Sequence, residues 1–168
     1  MLLAGLALCF SFLTTVARAD TDDAELRKQA LALNDVTGDQ PMRGKIVALV
    51  DDPANSKKLL AVAARIAKDA KDKEQPFNYN AAYILARTGR ELKESDVAEQ
   101  FYHLCIDQGK SLKSGFKIAV AFDELTILLF QNKKYDECEK ICQEFLEING
   151  DDTIKLEKPR ILRRLIMA

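Results

Sequence analysis

The 168-residue sequence balances 25 basic residues against 26 acidic ones and is 48% hydrophobic, enough for one domain with a real core. Its cations are interleaved with acids, as where Lys68, Lys71 and Lys73 alternate with Asp69, Asp72 and Glu74. The clustered basic stripe that nucleic-acid binding requires is therefore missing, and no nucleic-acid partner is expected.

Residues 1–19 read as a leader. Leu2 to Val16 is almost wholly apolar and closes with Ala17-Arg18-Ala19, the small-x-small pattern that a signal peptidase accepts, although no Lys or Arg precedes the apolar run. A retained anchor is the alternative, but the run is shorter than the roughly 20 residues needed to span a bilayer. The expectation is export to the periplasm or the extracellular space, with no membrane span after cleavage. Removing 19 of 168 residues leaves 149, and losing Arg18 leaves 24 basic residues against 26 acidic ones, a net charge of −2.

Residues 20–40 are predicted to form a capping helix and a turn. In DDAELRKQALAL, Thr21 or Asp22 supplies the cap and Leu26, Ala30, Leu31 and Leu33 a narrow apolar stripe; NDVTGDQP then ends the helix. Residues 41–168 are predicted to be a helical repeat domain of about three hairpins. Its first helix runs from Pro41 to Asp51 and buries Ile46, Val47, Leu49 and Val50. A β-strand competes over KIVALV, but no second strand is evident to pair with it. Ser56 is expected to cap the next helix, KKLLAVAARIAKDAKD.

The clearest signal follows. A shift of 40 residues lays Ala82, Leu85, Ala86 and Gly89 over Phe122, Leu125, Thr126 and Leu129, and Ala98, Tyr102 and Cys105 over Cys138, Cys142 and Phe145. Leu85 and Leu125, Lys93 and Lys133, Asp96 and Asp136, and Glu99 and Glu139 are identical pairs. One shift aligning two helices is the mark of stacked helical repeats. In this reading Ser95 caps the helix SDVAEQFYHLCIDQ, QGKSLKSG is a polar connection, and KIAVAFDELTILLF, apolar nearly all round, is sandwiched between neighbours. At the end, Ile161, Leu162, Leu165 and Ile166 open a helix with no partner in the sequence. The array then either continues in a longer protein or ends in an incomplete cap, and self-association through this helix is expected as one way to cover it.

The spacing Ala82-x-x-Leu85-Ala86-x-x-Gly89, then Ala98-x-x-x-Tyr102-x-x-Cys105, resembles the tetratricopeptide repeat, and the third hairpin with its QNKKYDEC turn is similar. The period is 40 where that family's is about 34, and HEAT-like repeats are the second resemblance. The resemblance implies an all-α fold, a right-handed α-solenoid of antiparallel helical hairpins. It further implies a scaffold whose first helices line a concave groove for a peptide or protein segment. The residues it carries into that groove are Asn80, Tyr83, Arg87 and Arg90 from one hairpin and Asp123, Ile127 and Phe130 from the next.

Catalytic patterns are weak. Asp51-Asp52 and Asp151-Asp152 sit in turns, His103 has no nucleophile at a matching spacing, and the seven glycines form no phosphate loop. No enzyme activity, cofactor or metal is expected from these residues; the alternative is an accessory segment of a larger envelope protein or enzyme. Cys105, Cys138 and Cys142 fall on inward helix positions. Cys138 and Cys142 lie one turn apart, too far for a disulfide, so all three read as buried thiols.

Overall fold

The structure is a computed structural model that describes residues 22–70, 75–149 and 152–167. The leader predicted over 1–19 lies outside the described residues, as do Gly150 and the side chain of Leu165. Among the described residues every regular element is helical and no strand occurs. Helix α1 covers residues 22–32 and ends in a 3-10 turn, Leu33–Asp35. It is followed by α2 (Asp39–Val50), α3 (Pro53–Asp69), α4 (Tyr79–Glu91), α5 (Ser95–Ser111), α6 (Gly115–Gln131), α7 (Tyr135–Glu147) and α8 (Asp152–Met167).

KIVALV is thus helical, as no strand is there to pair with it. Gly38 opens α2 at φ 84°, a backbone angle that glycine adopts without the Cβ penalty. Asp52, not Ser56, caps α3: its Oδ1 accepts from the Asn55 amide at 3.3 Å, and Pro53 fills the first helical position. Ser56 is instead buried and donates its hydroxyl to the Leu49 carbonyl at 2.7 Å, tying the end of α2 to α3. Asn78 caps α4 by accepting from the Ala81 amide at 3.0 Å. Asn78 also receives the preceding turn: its amide donates to Asn34 Oδ1 and its Nδ2 to the Asn34 carbonyl, both at 2.8 Å. That clasp seats residues 33–36 on α4, while the Asp23–Arg65 ion pair ties α1 to α3.

From α4 onward the chain repeats one device every 20 residues. Three-residue turns centred on Lys93, Lys113 and Lys133 join α4 to α5, α5 to α6 and α6 to α7, each lysine having positive φ (61°, 51° and 59°). The bonds are the same in each. Glu94 N donates to Gly89 O at 2.8 Å, Ser114 N to Gly109 O at 3.0 Å and Lys134 N to Leu129 O at 3.0 Å, closing the carbonyls that a helix end leaves open. QGKSLKSG is accordingly no loop: it is the last turn of α5, the tight turn and the first residue of α6. Glycine at two of these ends permits close approach. A Cβ on Gly89 would meet Ala98 Cβ at 3.2 Å, and one on Gly109 would meet Ile118 Cγ1 at 3.0 Å. Ser95 lies just inside α5, makes no capping bond and donates toward Asn132 Oδ1 at 3.3 Å.

From α2 onward each helix packs on the next in sequence, and α2 packs on α4, α3 on α5 and α6 on α8, while Glu124 links α6 to α4 and the Lys110–Glu144 pair links α5 to α7. The even-numbered helices therefore form one layer and the odd-numbered helices the other, with the apolar core between them. Phe77 meets Phe101 edge-on at 5.6 Å, and Phe122 lies 5.2 Å from Phe145. The near all-round apolarity of α6 is explained by α5, α7 and α8 packing around it. Cys105, Cys138 and Cys142 are buried, with Cys105 Sγ donating to the Tyr79 carbonyl at 3.9 Å and Cys138 Sγ to the Thr126 carbonyl at 3.6 Å. Burial pushes the Cys105 thiol well above its ordinary pKa, so it is inert at neutral pH. No helix among the described residues is long and apolar enough to cross a membrane.

Candidate interaction groove

An open groove of about 610 Å³ runs along the even-numbered layer. Met42, Arg43, Ile46 and Val47 of α2 form one wall, and Phe116, Lys117 and Val120 of α6 the other. Tyr79, Asn80, Tyr83 and Arg87 of α4 form the floor, and Gly38 and Asp39 the mouth. Helical periodicity explains the set. Residues 42, 43, 46 and 47 fall on one face of α2, and 79, 80, 83 and 87 on one face of α4. Val47, expected in the core, is 59% exposed because its face of α2 looks into this open space; Phe116 opposite is 67% exposed.

The floor is aromatic. The rings of Tyr79 and Tyr83 stack with centroids 6.1 Å apart and planes 9° from parallel. Lys117 Nζ sits 4.7 Å over the Tyr79 ring, and the Tyr79 hydroxyl donates to the Lys117 carbonyl at 3.2 Å. Burial, with Cys105, Tyr83 and Glu124 adding to it, raises the Tyr79 pKa far above 10; burial and Glu124 raise that of Tyr83 against the opposing Arg87. Both phenols are neutral donors at any physiological pH.

The seven residues carried over from the repeat resemblance divide. Asn80, Tyr83 and Arg87 line the groove, although Asn80 spends its Nδ2 on the Val36 carbonyl at 3.1 Å. Arg87 and Arg90 are not an open guanidinium pair. Arg87 Nη1 donates to Glu124 Oε1 at 2.5 Å, Arg90 Nη1 donates to Glu124 Oε2, and Glu91 stands 3.5 Å and 3.4 Å from them. Glu124 is only 14% exposed and bridges α6 to α4. Burial works against the Arg87 charge, but Glu124, Tyr102 and Tyr83 together outweigh it and leave the pKa raised. Asp123 lies under α8, paired with Arg160. Ile127 is half-buried, and Phe130 packs edge-on against Tyr135 at 5.6 Å; neither reaches the groove.

The reason is a register difference. Lateral contacts between successive repeats join residues 34 to 38 apart, as in Arg90 with Glu124 and Tyr79 with Lys117, and four of them span 37: Lys57 with Glu94, Arg87 with Glu124, Ser95 with Asn132, and Asp123 with Arg160. The 40-residue shift equates turns, whereas neighbouring repeats are staggered by about three residues, close to one helical turn. Tyr83 therefore faces Val120 and not Asp123. The α6 wall was findable from that offset. The α2 wall, with Arg43 and Val47, had no counterpart in the 40-residue repeat to point to it.

Comparison with known proteins yields no match among family models, curated proteins or solved structures.

Proposed function

We propose that this protein is a binding module without catalytic activity, which holds an apolar peptide or protein segment in the groove between α2 and α6. The observation that carries the reading is the pair of exposed apolar walls, Val47 and Phe116, facing each other over the Tyr79–Tyr83 floor. Large apolar side chains left uncovered around a concavity mark binding sites more often than isolated exposed ones do. The right-handed tetratricopeptide-type solenoid belongs to the same proposal, supported by the alternating layers and the tight turns every 20 residues. So does export, which rests on the leader pattern of residues 1–19. The test is capture of a partner from an envelope extract by the wild-type protein and by the Val47→Asp, Phe116→Asp variant. Loss of the partner with an unchanged circular-dichroism spectrum is expected; equal capture by both proteins contradicts the groove.

A second reading, self-association through α8, is favoured by Leu156 and Ile166, each 78% exposed. Sedimentation at increasing protein concentration tests it: a mass that rises, and falls back in a Leu156→Asp, Ile166→Asp variant, supports it, and a monomer throughout excludes it.

A further inference from the structure

The cations around the groove are in two different states. Arg87 is held by Glu124 and Glu91. Arg43 on the α2 wall and Lys117 on the α6 wall have no carboxylate within ion-pair distance among the described residues, although seven cations besides Arg87 do, from Lys57 to Arg160. The lining holds three cations and one acid, Asp39 at the mouth, in a protein whose overall charge is −1. Lys117 is further fixed in place by the Tyr79 ring beneath it. A positive groove in a weakly acidic protein, with its unneutralised cations on opposite walls, is complementary to negative charge entering between them.

The remainder of the lining decides what carries that charge. Met42, Ile46, Val47, Phe116 and Val120 make most of both walls apolar. A phosphate backbone would need several contiguous cations and would leave this apolar surface wet. We propose that the occupant is a peptide segment that combines apolar side chains, seated against Val47 and Phe116, with carboxylate side chains paired to Arg43 and Lys117. This rests on the binding reading above and adds the chemistry of the partner.

The test is selection of random 12-residue peptides displayed on phage against the immobilised full-length protein. The best peptide is then titrated as selected and with each Asp and Glu changed to Asn and Gln. The protein is used as wild type, as Arg43→Gln, Lys117→Gln, and as Val47→Asp, Phe116→Asp. Enriched peptides are expected to carry both apolar and acidic residues. The amide peptide is expected to bind at least tenfold more weakly, and that penalty should vanish in the Arg43→Gln, Lys117→Gln protein, where the carboxylates have nothing left to pair with. A peptide that needs Val47 and Phe116 but binds equally well as the amide version overturns the charge pairing and leaves the groove standing. If no selected peptide depends on Val47 and Phe116, the binding reading falls and this proposal with it. Phosphatidylglycerol vesicles run alongside give the remaining outcome: binding through Arg43 and Lys117 to vesicles and to no peptide overturns the proposal in favour of a lipid surface.

Discussion

Glu124 is the residue on which the layer between α4 and α6 is pinned, because it answers two arginines at once in a site largely closed to water. Glu124→Gln keeps the shape but leaves both guanidinium groups short of an anion. Losing one partner of a buried pair costs roughly 3–5 kcal/mol, and partial exposure here reduces the expected loss to about 2 kcal/mol, read as a lower urea midpoint with an unchanged slope. Reversing Arg87 and Arg90 to Glu would crowd four carboxylates into the same place, so that variant is expected to unfold and is a poor probe of binding. Val47 and Phe116 are the opposite case. Both are mostly exposed, so Asp at either position should change stability by no more than about 0.5 kcal/mol. A second residue-level outcome follows from the phenols. Burial raises the pKa values of Tyr79 and Tyr102 well above the ordinary 10, so the folded protein retains protons that the unfolded chain releases. Their contribution to stability is complete below about pH 10 and declines as the pH rises beyond it. Urea midpoints should fall above about pH 10, with phenolate absorbance from these rings appearing only as the protein unfolds; ionisation of all four tyrosines in the folded state would contradict the burial.

At the scale of the element, the repeated turn is the feature that organises α4 to α7. Lys93, Lys113 and Lys133 occupy backbone angles that disfavour a side chain, so changing each to Gly should relieve strain by more than the added unfolded-state entropy costs, a net gain of about 0.5 kcal/mol. The neighbouring glycines behave in reverse. Alanine is the better helix former by about 1 kcal/mol, but at Gly109 its methyl would meet Ile118 at 3.0 Å and force the two helices apart. Gly109→Ala is expected to lower the thermal midpoint and Gly89→Ala, with 3.2 Å to Ala98, to do so less. This device was legible in the sequence: TGRELKES and QGKSLKSG share Gly, a basic residue and Leu-Lys, each 20 apart. The 40-residue alignment obscured it by equating alternate turns only. Helix type and order were readable from apolar spacing, because each inward stripe follows the 3.6-residue period wherever a partner covers it. The caps at Ser56 and Ser95 were misplaced because a hydroxyl next to a helix start can also serve a neighbouring helix, which Ser56 does at Leu49.

For the whole molecule, what was hardest to read was how repeats lie beside one another. A sequence repeat reports equivalent positions, whereas a groove depends on which positions face each other across staggered helices. The offset of about 37 residues put Asp123 under α8, left Ile127 and Phe130 outside the groove and brought Phe116, Lys117 and Val120 into place. The α2 wall completed it from outside the recognised repeat. The account's central claim is that partner contact occurs in this groove and not on the exposed face of α8. The most direct measurement places the photocrosslinking residue benzoylphenylalanine at position 116 or at position 162 and irradiates each protein in an envelope extract. The account predicts a discrete adduct from position 116, abolished by Val47→Asp, and none from position 162. An adduct from position 162 alone would contradict it and assign the contact to α8.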